Sequence, residues 1–455
     1  MIAAAIRVLT LAGALLCANA ALGQDAAPTV PETIPQVPAP APPPSEPGPP
    51  AENAAPVDTT APAPTPAPEP VQVQSLAQLD LFSTGRDTGL GQDVWKGASA
   101  EIARTVIPSL AEHPLSPAAS GLARRVLAQA ATAPAGAGAD LDLAVARARA
   151  LLAVGDAEDA SLVFDRTPGV SESAALSMDA AEAALISDQD DKACHIDQRL
   201  TAGRGGPYWL RLRAFCQARA GQADGARLTL SLAGPAEKAS ASARLLAVYV
   251  AGVGDSGPAS LRGGLDYAVS SALKLDMTPA LATAAPAISR RWALKSPPAA
   301  APAPELPAGS ASALIQDALQ AVTSGADAGP ALDALVERAS KEPGPRTRAR
   351  LQGAAAIVAS LGGGMGGASR ARFAEFAIAH PAAPAARLLA LDLASSAGLT
   401  GETALLALSV AESGGEAGPG PGDRAWIIRA LVRAGLVADA RAFAVEGLIQ
   451  LRGAP

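Results

Sequence analysis

Aromatic side chains are scarce: four Trp, three Tyr and six Phe in 455 residues. Runs of Val, Ile, Tyr and Thr are few as well, which removes the usual material of β-sandwiches and barrels. There are three histidines, His113, His195 and His380, far apart in the chain. A structural zinc centre therefore lacks a second His/Cys pair to join Cys194-His195, unless Cys216 serves alone. No metal and no cofactor is expected. Long Lys/Arg runs are also missing, and the formal net charge is −7. The pairs Arg124-Arg125 and Arg290-Arg291 read as solvated helix faces. Without a basic face to neutralise phosphates, a nucleic-acid partner is excluded. After the first two dozen residues, no stretch is long and apolar enough for a convincing membrane span.

What the chain has in excess is alanine, the strongest helix former, whose small side chain lets helices approach closely. An all-α protein follows. Turns at Gly155, Asp188, Gly221 and Gly254 repeat every 33 residues. Ala148, Ala181, Ala214 and Ala247 precede them by seven, and Ala160, Ala193, Ala226 and Ala259 follow by five. A fixed period near 33 with small residues at fixed offsets marks stacked helical pairs. The expected pairs are 141–154 with 158–166, 174–186 with 190–200, 208–220 with 224–232, and 242–253 with 259–271. Residues 277–294 are expected to continue helically. A second set of glycine turns, Gly325, Gly362, Gly398 and Gly435, has a spacing of 36 to 37.

These offsets resemble the tetratricopeptide repeat. That family sets a small residue midway along the first helix of each unit and an alanine early in the second. Phe164 and Leu230 match its large apolar residue four positions later, whereas Asp197 and Gly263 depart from it. Its Tyr-like position holds Leu151 and Val250, but Ala184 and Gln217 elsewhere. The resemblance covers about a third of the chain. It implies a helical-hairpin solenoid, in one or two lobes, whose concave surface receives peptides or partner helices. The lining comes mainly from the first helices, so Arg147, Arg149, Tyr208, Arg211, Arg213 and Arg244 are candidate partner contacts. Several being Arg suggests acidic or C-terminal carboxylate ligands.

The expected organisation begins with a signal peptide, 1–23. Arg7 precedes an apolar run from Val8 to Cys17, and Ala18-Asn19-Ala20 is an A-x-A cleavage site. The alternative is an uncleaved membrane anchor over 2–22. Residues 24–70 are Pro/Ala-rich and read as a disordered tether, on the order of 140 Å long if extended at about 3.1 Å per residue. Residues 71–135 are expected as an N-terminal helical cap, with Pro108, Pro114 and Pro117 as breakers. Repeats over 136–295, a second Pro/Ala-rich linker over 296–309 and further helical repeats over 310–455 complete the chain.

An exported chain meets an oxidising compartment, and cleavage leaves Cys194 and Cys216 as an even pair. Each lies eleven residues from Gly205, in the turn 203–207. On two antiparallel helices joined there, both stand at the same height. A disulfide is expected, with two buried free thiols as the alternative.

Three motifs suggest chemistry. Gly254-Asp255-Ser256-Gly257-Pro258 is similar to the nucleophile motif of chymotrypsin-like serine proteases, lacks one Gly, and falls at a repeat turn. Glu412-Ser413-Gly414-Gly415 resembles the catalytic Glu segment of lytic transglycosylases, but a Gly/Pro loop follows in place of that family's next motif. Gly362, Gly364 and Gly367 satisfy G-x-G-x-x-G without a strand before them. The acidic turn Asp188-Gln189-Asp190-Asp191 lacks the Gly and closing Glu of a calcium loop and reads as a helix N-cap.

The expectation is an exported, periplasmic or secreted scaffold mediating protein–protein interaction in the cell envelope. The alternatives are a peptidoglycan-acting enzyme or its subunit, and a membrane-anchored organelle-positioning factor if the N-terminus is retained.

Overall fold

A computed structural model describes residues 79–232, 240–296, 306–378 and 381–453. The segments expected as a signal peptide and a tether, most of the 296–309 linker and His380 lie outside the described residues. Nineteen α-helices occur among those described, with no strand beyond an isolated bridge between Arg86 and Gln129.

The 33-residue period is structural. Three hairpins follow one another: α3 (Leu141–Ala153) with α4 (Ala157–Arg166), α5 (Ala174–Ile186) with α6 (Asp190–Arg199), and α7 (Pro207–Arg219) with α8 (Ala223–Ser231). Each pair is joined by the same tight turn. Gly155, Asp188 and Gly221 take positive φ of 86°, 63° and 76°. The next N–H in each case reaches back to close the preceding helix, as Asp156 to Leu151, Gln189 to Ala184 and Gln222 to Gln217. This is the αL helix stop that favours glycine, adopted here once by an aspartate. Ala148, Ala181, Ala214, Ala160, Ala193 and Ala226 are all fully buried in the hairpin seams.

The fourth unit departs from the period. α9 (Ala241–Ala251) ends on Gly252, and α10 (Gly264–Ala272) begins only after an irregular passage, so Ala259 lies outside any helix and Ala247 is exposed. Gly254 and Pro258 interrupt the second helix where it was expected to start. The αL turn appears instead after α10, at Lys274 with φ 55°. The continuous helix expected over 277–294 is a 3-10 turn, Thr278–Thr283, followed by α11 (Pro286–Lys295).

Residues 71–135 were expected as an N-terminal cap; of the described part, 79–131 lie between two blocks. Leu81 and Phe82 form a short 3-10 turn, and α1 (Ala100–Glu112) and α2 (Pro117–Ala128) follow. Pro108 stands inside α1 rather than breaking it, and Pro117 opens α2 at its first turn, where its missing N–H is not needed. α1 packs on α3 on one side. On the other it packs on α17 (Thr400–Ala411), and α2 packs on α17 and α19 (Val437–Gly453). The remaining helices are α12 (Ala311–Ser324), α13 (Gly329–Lys341), α14 (Pro345–Ser360), α15 (Gly367–Phe373), α16 (Ala385–Ser396) and α18 (Pro421–Arg433). Gly398 and Gly435 repeat the αL turn between α16 and α17 and between α18 and α19. α17 is buried nearly all round because α1, α2, α16 and α18 surround it.

Long-range polar links fix this arrangement. The Ser99 N–H donates to Glu402 at 2.7 Å, the Ser109 hydroxyl to Glu412 at 2.6 Å, and the Ala118 N–H to Glu446 at 2.7 Å. Glu446 also receives Arg424, which is 1% exposed, at 2.9 Å. One apolar core therefore runs from Phe82 through α3 and α4 to Leu448, and a second joins α5 to α10.

Candidate partner-binding site

The six residues expected to contact a partner are held by the chain itself. Arg147 is buried, and its guanidinium donates to the carbonyls of Leu127, Leu81, Thr84 and Gln129 at 2.6, 3.1, 2.8 and 3.2 Å. It also lies 5.1 Å from the Phe82 ring centroid. Burial lowers its pKa to about 10. Arg149 pairs with Asp179 at 2.7 Å, and Arg213 forks onto Asp197 at 2.8 and 3.1 Å. Arg244 braces the irregular passage through the carbonyls of Ser256 and Pro258. Arg211 is half-buried near Tyr208.

Tyr208 is tied to the neighbouring helices. Its hydroxyl donates to Glu182 of α5 at 2.8 Å, and the same carboxylate accepts the N–H groups of Gly264 and Leu265 at the start of α10. Glu182 thus caps α10, which lies directly on α5. Close approach is possible because Gly264 has no Cβ: one built there would stand 2.8 Å from the Glu182 carbonyl oxygen. Burial raises the pKa of both Glu182 and Tyr208. At the far end of α5, Asp188 accepts Tyr267 at 2.6 Å and Lys295 at 2.7 Å. The acidic turn 188–191 was expected to supply an Asp N-cap to α6. The αL backbone of Asp188 instead turns its carboxylate toward α10 and α11, and Gln189 takes the N-cap position.

The disulfide is present. Cys194 on α6 and Cys216 on α7 are joined with Cα atoms 5.6 Å apart, so neither offers a thiolate to a metal. A polar groove of about 480 Å³ beside it is lined by His195, Asp197, Arg204, Arg213 and Arg219. Its charges are largely neutralised, since Arg213 pairs with Asp197 and Arg219 with Asp190 and Asp191.

An open apolar surface lies in the C-terminal helices. Ala356 and Ala359 of α14, Phe373 of α15, Ile378, and Trp426 of α18 line a groove of about 480 Å³. Arg429 and Arg433 stand at its edge. Arg433 is tied to Asp392 at 2.7 Å and Ser396 at 2.7 Å. Arg429 is exposed and has no carboxylate within ion-pair distance among the described residues. On α16, which contributes Asp392 to this groove, Leu389 is 60% and Leu393 69% exposed, while Leu388 and Leu391 face the core. Sequence reasoning missed this surface. Its signal was the sequence of α16, which carries four leucines at 388, 389, 391 and 393, more than one buried stripe requires.

The motifs with chemical overtones fall as follows. Ser256 sits in the irregular passage, and its hydroxyl donates to the Gly257 carbonyl at 3.3 Å. Gly362 stops α14 with φ 90°, so a helix rather than a strand precedes the three glycines. Glu412 is half-buried, with its carboxyl pKa raised by burial and its Oε1 accepting from Ser109. It lines neither groove. No group of three His, Cys, Asp or Glu side chains is placed to hold a metal ion among the described residues. No helix among them is long and apolar enough to cross a membrane.

Comparison with known protein families, with curated proteins and with solved structures finds no match to this chain.

Proposed function

We propose that this chain is a partner-binding helical-repeat protein of the cell envelope, with the surface of α14, α15, α16 and α18 as its docking site. The observation that carries the reading is the pair Leu389 and Leu393, exposed one turn apart beside a groove holding Phe373 and Trp426. Exposed apolar clusters rimmed by polar groups are a mark of interaction surfaces. Aromatic and Arg residues are the usual anchors of such interfaces. The occupant is an amphipathic partner segment that sets apolar side chains against Leu389, Leu393 and Trp426 and a carboxylate against Arg429. The three regular 33-residue hairpins support the tetratricopeptide-like reading of residues 141–231. The disulfide, together with the Arg7 to Ala20 segment, supports export.

The test is a quantitative comparison of cross-linked companions recovered from the envelope fraction with the native chain and with a Leu389→Asp/Leu393→Asp variant. Both leucines are exposed, so the variant should fold. A companion recovered only with the native chain, and lost again with Arg429→Glu, is the expected result. Identical recovery by all three proteins, or residence of the chain in the cytosol, would overturn the reading.

A further inference from the structure

A separate cavity of about 330 Å³ lies where four distant parts of the chain meet. Leu115, Pro117, Ser120 and Arg124 come from α2 and the turn before it. Val154 comes from the α3–α4 turn, Arg290, Ala293 and Leu294 from α11, and Glu416 from the turn after α17. Its size is at the small end of the roughly 300–1,000 Å³ typical of ligand sites.

The walls and the charges do not match. Leu115, Pro117, Val154, Ala293 and Leu294 make most of the surface apolar. Two guanidinium groups nonetheless stand on it. Arg124 donates from Nε to the Ser120 carbonyl of its own helix at 3.3 Å, and Arg290 donates from Nη1 to the Ala153 carbonyl at the end of α3. Neither has a carboxylate within ion-pair distance among the described residues, unlike Arg86, Arg125, Arg213 and Arg433. Glu416 is the one acid on the wall and attracts Arg290 from beyond that distance. The acid that acts on Arg124 is Asp156, which is already paired with Arg86. Two cations against one anion leave the cavity positive.

An unneutralised cation beside apolar walls is held at an energetic cost, which a desolvated anion relieves. Burial lowers the pKa of both arginines, as such a position requires. Each guanidinium keeps donors beyond the one carbonyl it serves. A planar carboxylate matches their fork geometry.

We infer that this cavity binds a small amphipathic monocarboxylate, its head between Arg124 and Arg290 and its hydrocarbon body along Leu115, Pro117, Val154, Ala293 and Leu294. The excess of a single positive charge selects a monoanion. The apolar walls select a medium-length hydrocarbon over a short polar acid.

The probe is decanoate, kept below its micellar concentration and titrated calorimetrically into the full chain. Saturable binding at one site per chain is expected, with decanol and decylamine binding at least tenfold more weakly. Arg124→Gln and Arg290→Gln should each weaken decanoate at least tenfold. Because Arg290 also braces α3, Leu294→Asp is the second variant. Leu294 is 49% exposed, so its replacement spares the core while placing a negative charge on the cavity wall. It too should weaken decanoate at least tenfold, with an unchanged circular dichroism melt. Equal affinity for decanol and decanoate, no saturable binding, or undiminished binding by Leu294→Asp would overturn the assignment.

Discussion

Replacing Arg147 by methionine should destabilise the chain by about 3 kcal/mol or more, and the figure can be worked from its surroundings. The guanidinium serves four backbone carbonyls, those of Leu81, Thr84, Leu127 and Gln129. Hydrogen bonds to a charged group are worth about 1.5–3 kcal/mol each, so at least about 6 kcal/mol is lost. Against this stands the burial of the charge. The fall of the pKa from the ordinary arginine range to about 10 corresponds to a penalty of roughly 3 kcal/mol, which methionine removes. The difference leaves about 3 kcal/mol, with four carbonyls deprived of their donor. Lysine should restore less than half, because one ammonium cannot reach four carbonyls on two separate stretches of backbone. The assay is urea unfolding followed by far-UV circular dichroism, with limited proteolysis of residues 79–92 as a local readout. A methionine variant within about 1 kcal/mol of the native chain, and no easier to cleave there, would refute the reasoning.

Reducing the Cys194–Cys216 bridge, which closes a sequence separation of 22 residues, should lower stability by roughly 3 kcal/mol on the loop-entropy estimate; an unchanged urea midpoint in reductant would count against it. Asp159 has its pKa raised to about 6 by burial and by neighbouring Asp156. A raised carboxyl pKa means the folded chain binds the extra proton. Stability from this group is therefore greatest below about pH 4 and declines as pH rises through 6. Asp159→Asn should flatten that part of the pH–stability curve, and an identical slope in the variant would refute the assignment. Gly401→Ala should cost about 1–3 kcal/mol, because its Cβ would stand 2.5 Å from the Trp95 ring and 2.6 Å from the Val94 carbonyl. A thermal melt matching that of the native chain would show that this contact yields more readily than the geometry implies.

Local features of the chain were legible wherever the cause was local. The αL stops at Gly155 and Gly221 follow from glycine's tolerance of positive φ, and the buried alanines follow from how closely paired helices approach. The Cys194–Cys216 pairing followed from equal arm lengths about one turn. The fourth unit misled for a related reason. Gly254, Ala247 and Ala259 keep the spacing, but alanine is so abundant that spacing alone does not report burial. The acceptors of the candidate arginines were not legible, because a charged side chain in the sequence carries no sign of its acceptor. Four carbonyls claim Arg147, and Asp197 claims Arg213.

The sequence by itself determined the all-helical class, three hairpins in register and the disulfide, since each depends on residues a few turns apart. Only the tertiary structure decided that α10 covers α5, and that residues 79–131 lie between α3 and the helices α17 and α19. Those outcomes rest on contacts such as Glu182 with Gly264, Ser99 with Glu402 and Ala118 with Glu446. Pairings across 82 to 328 positions leave no periodic trace in the chain, because nothing in a residue's near neighbours records which distant surface it will meet.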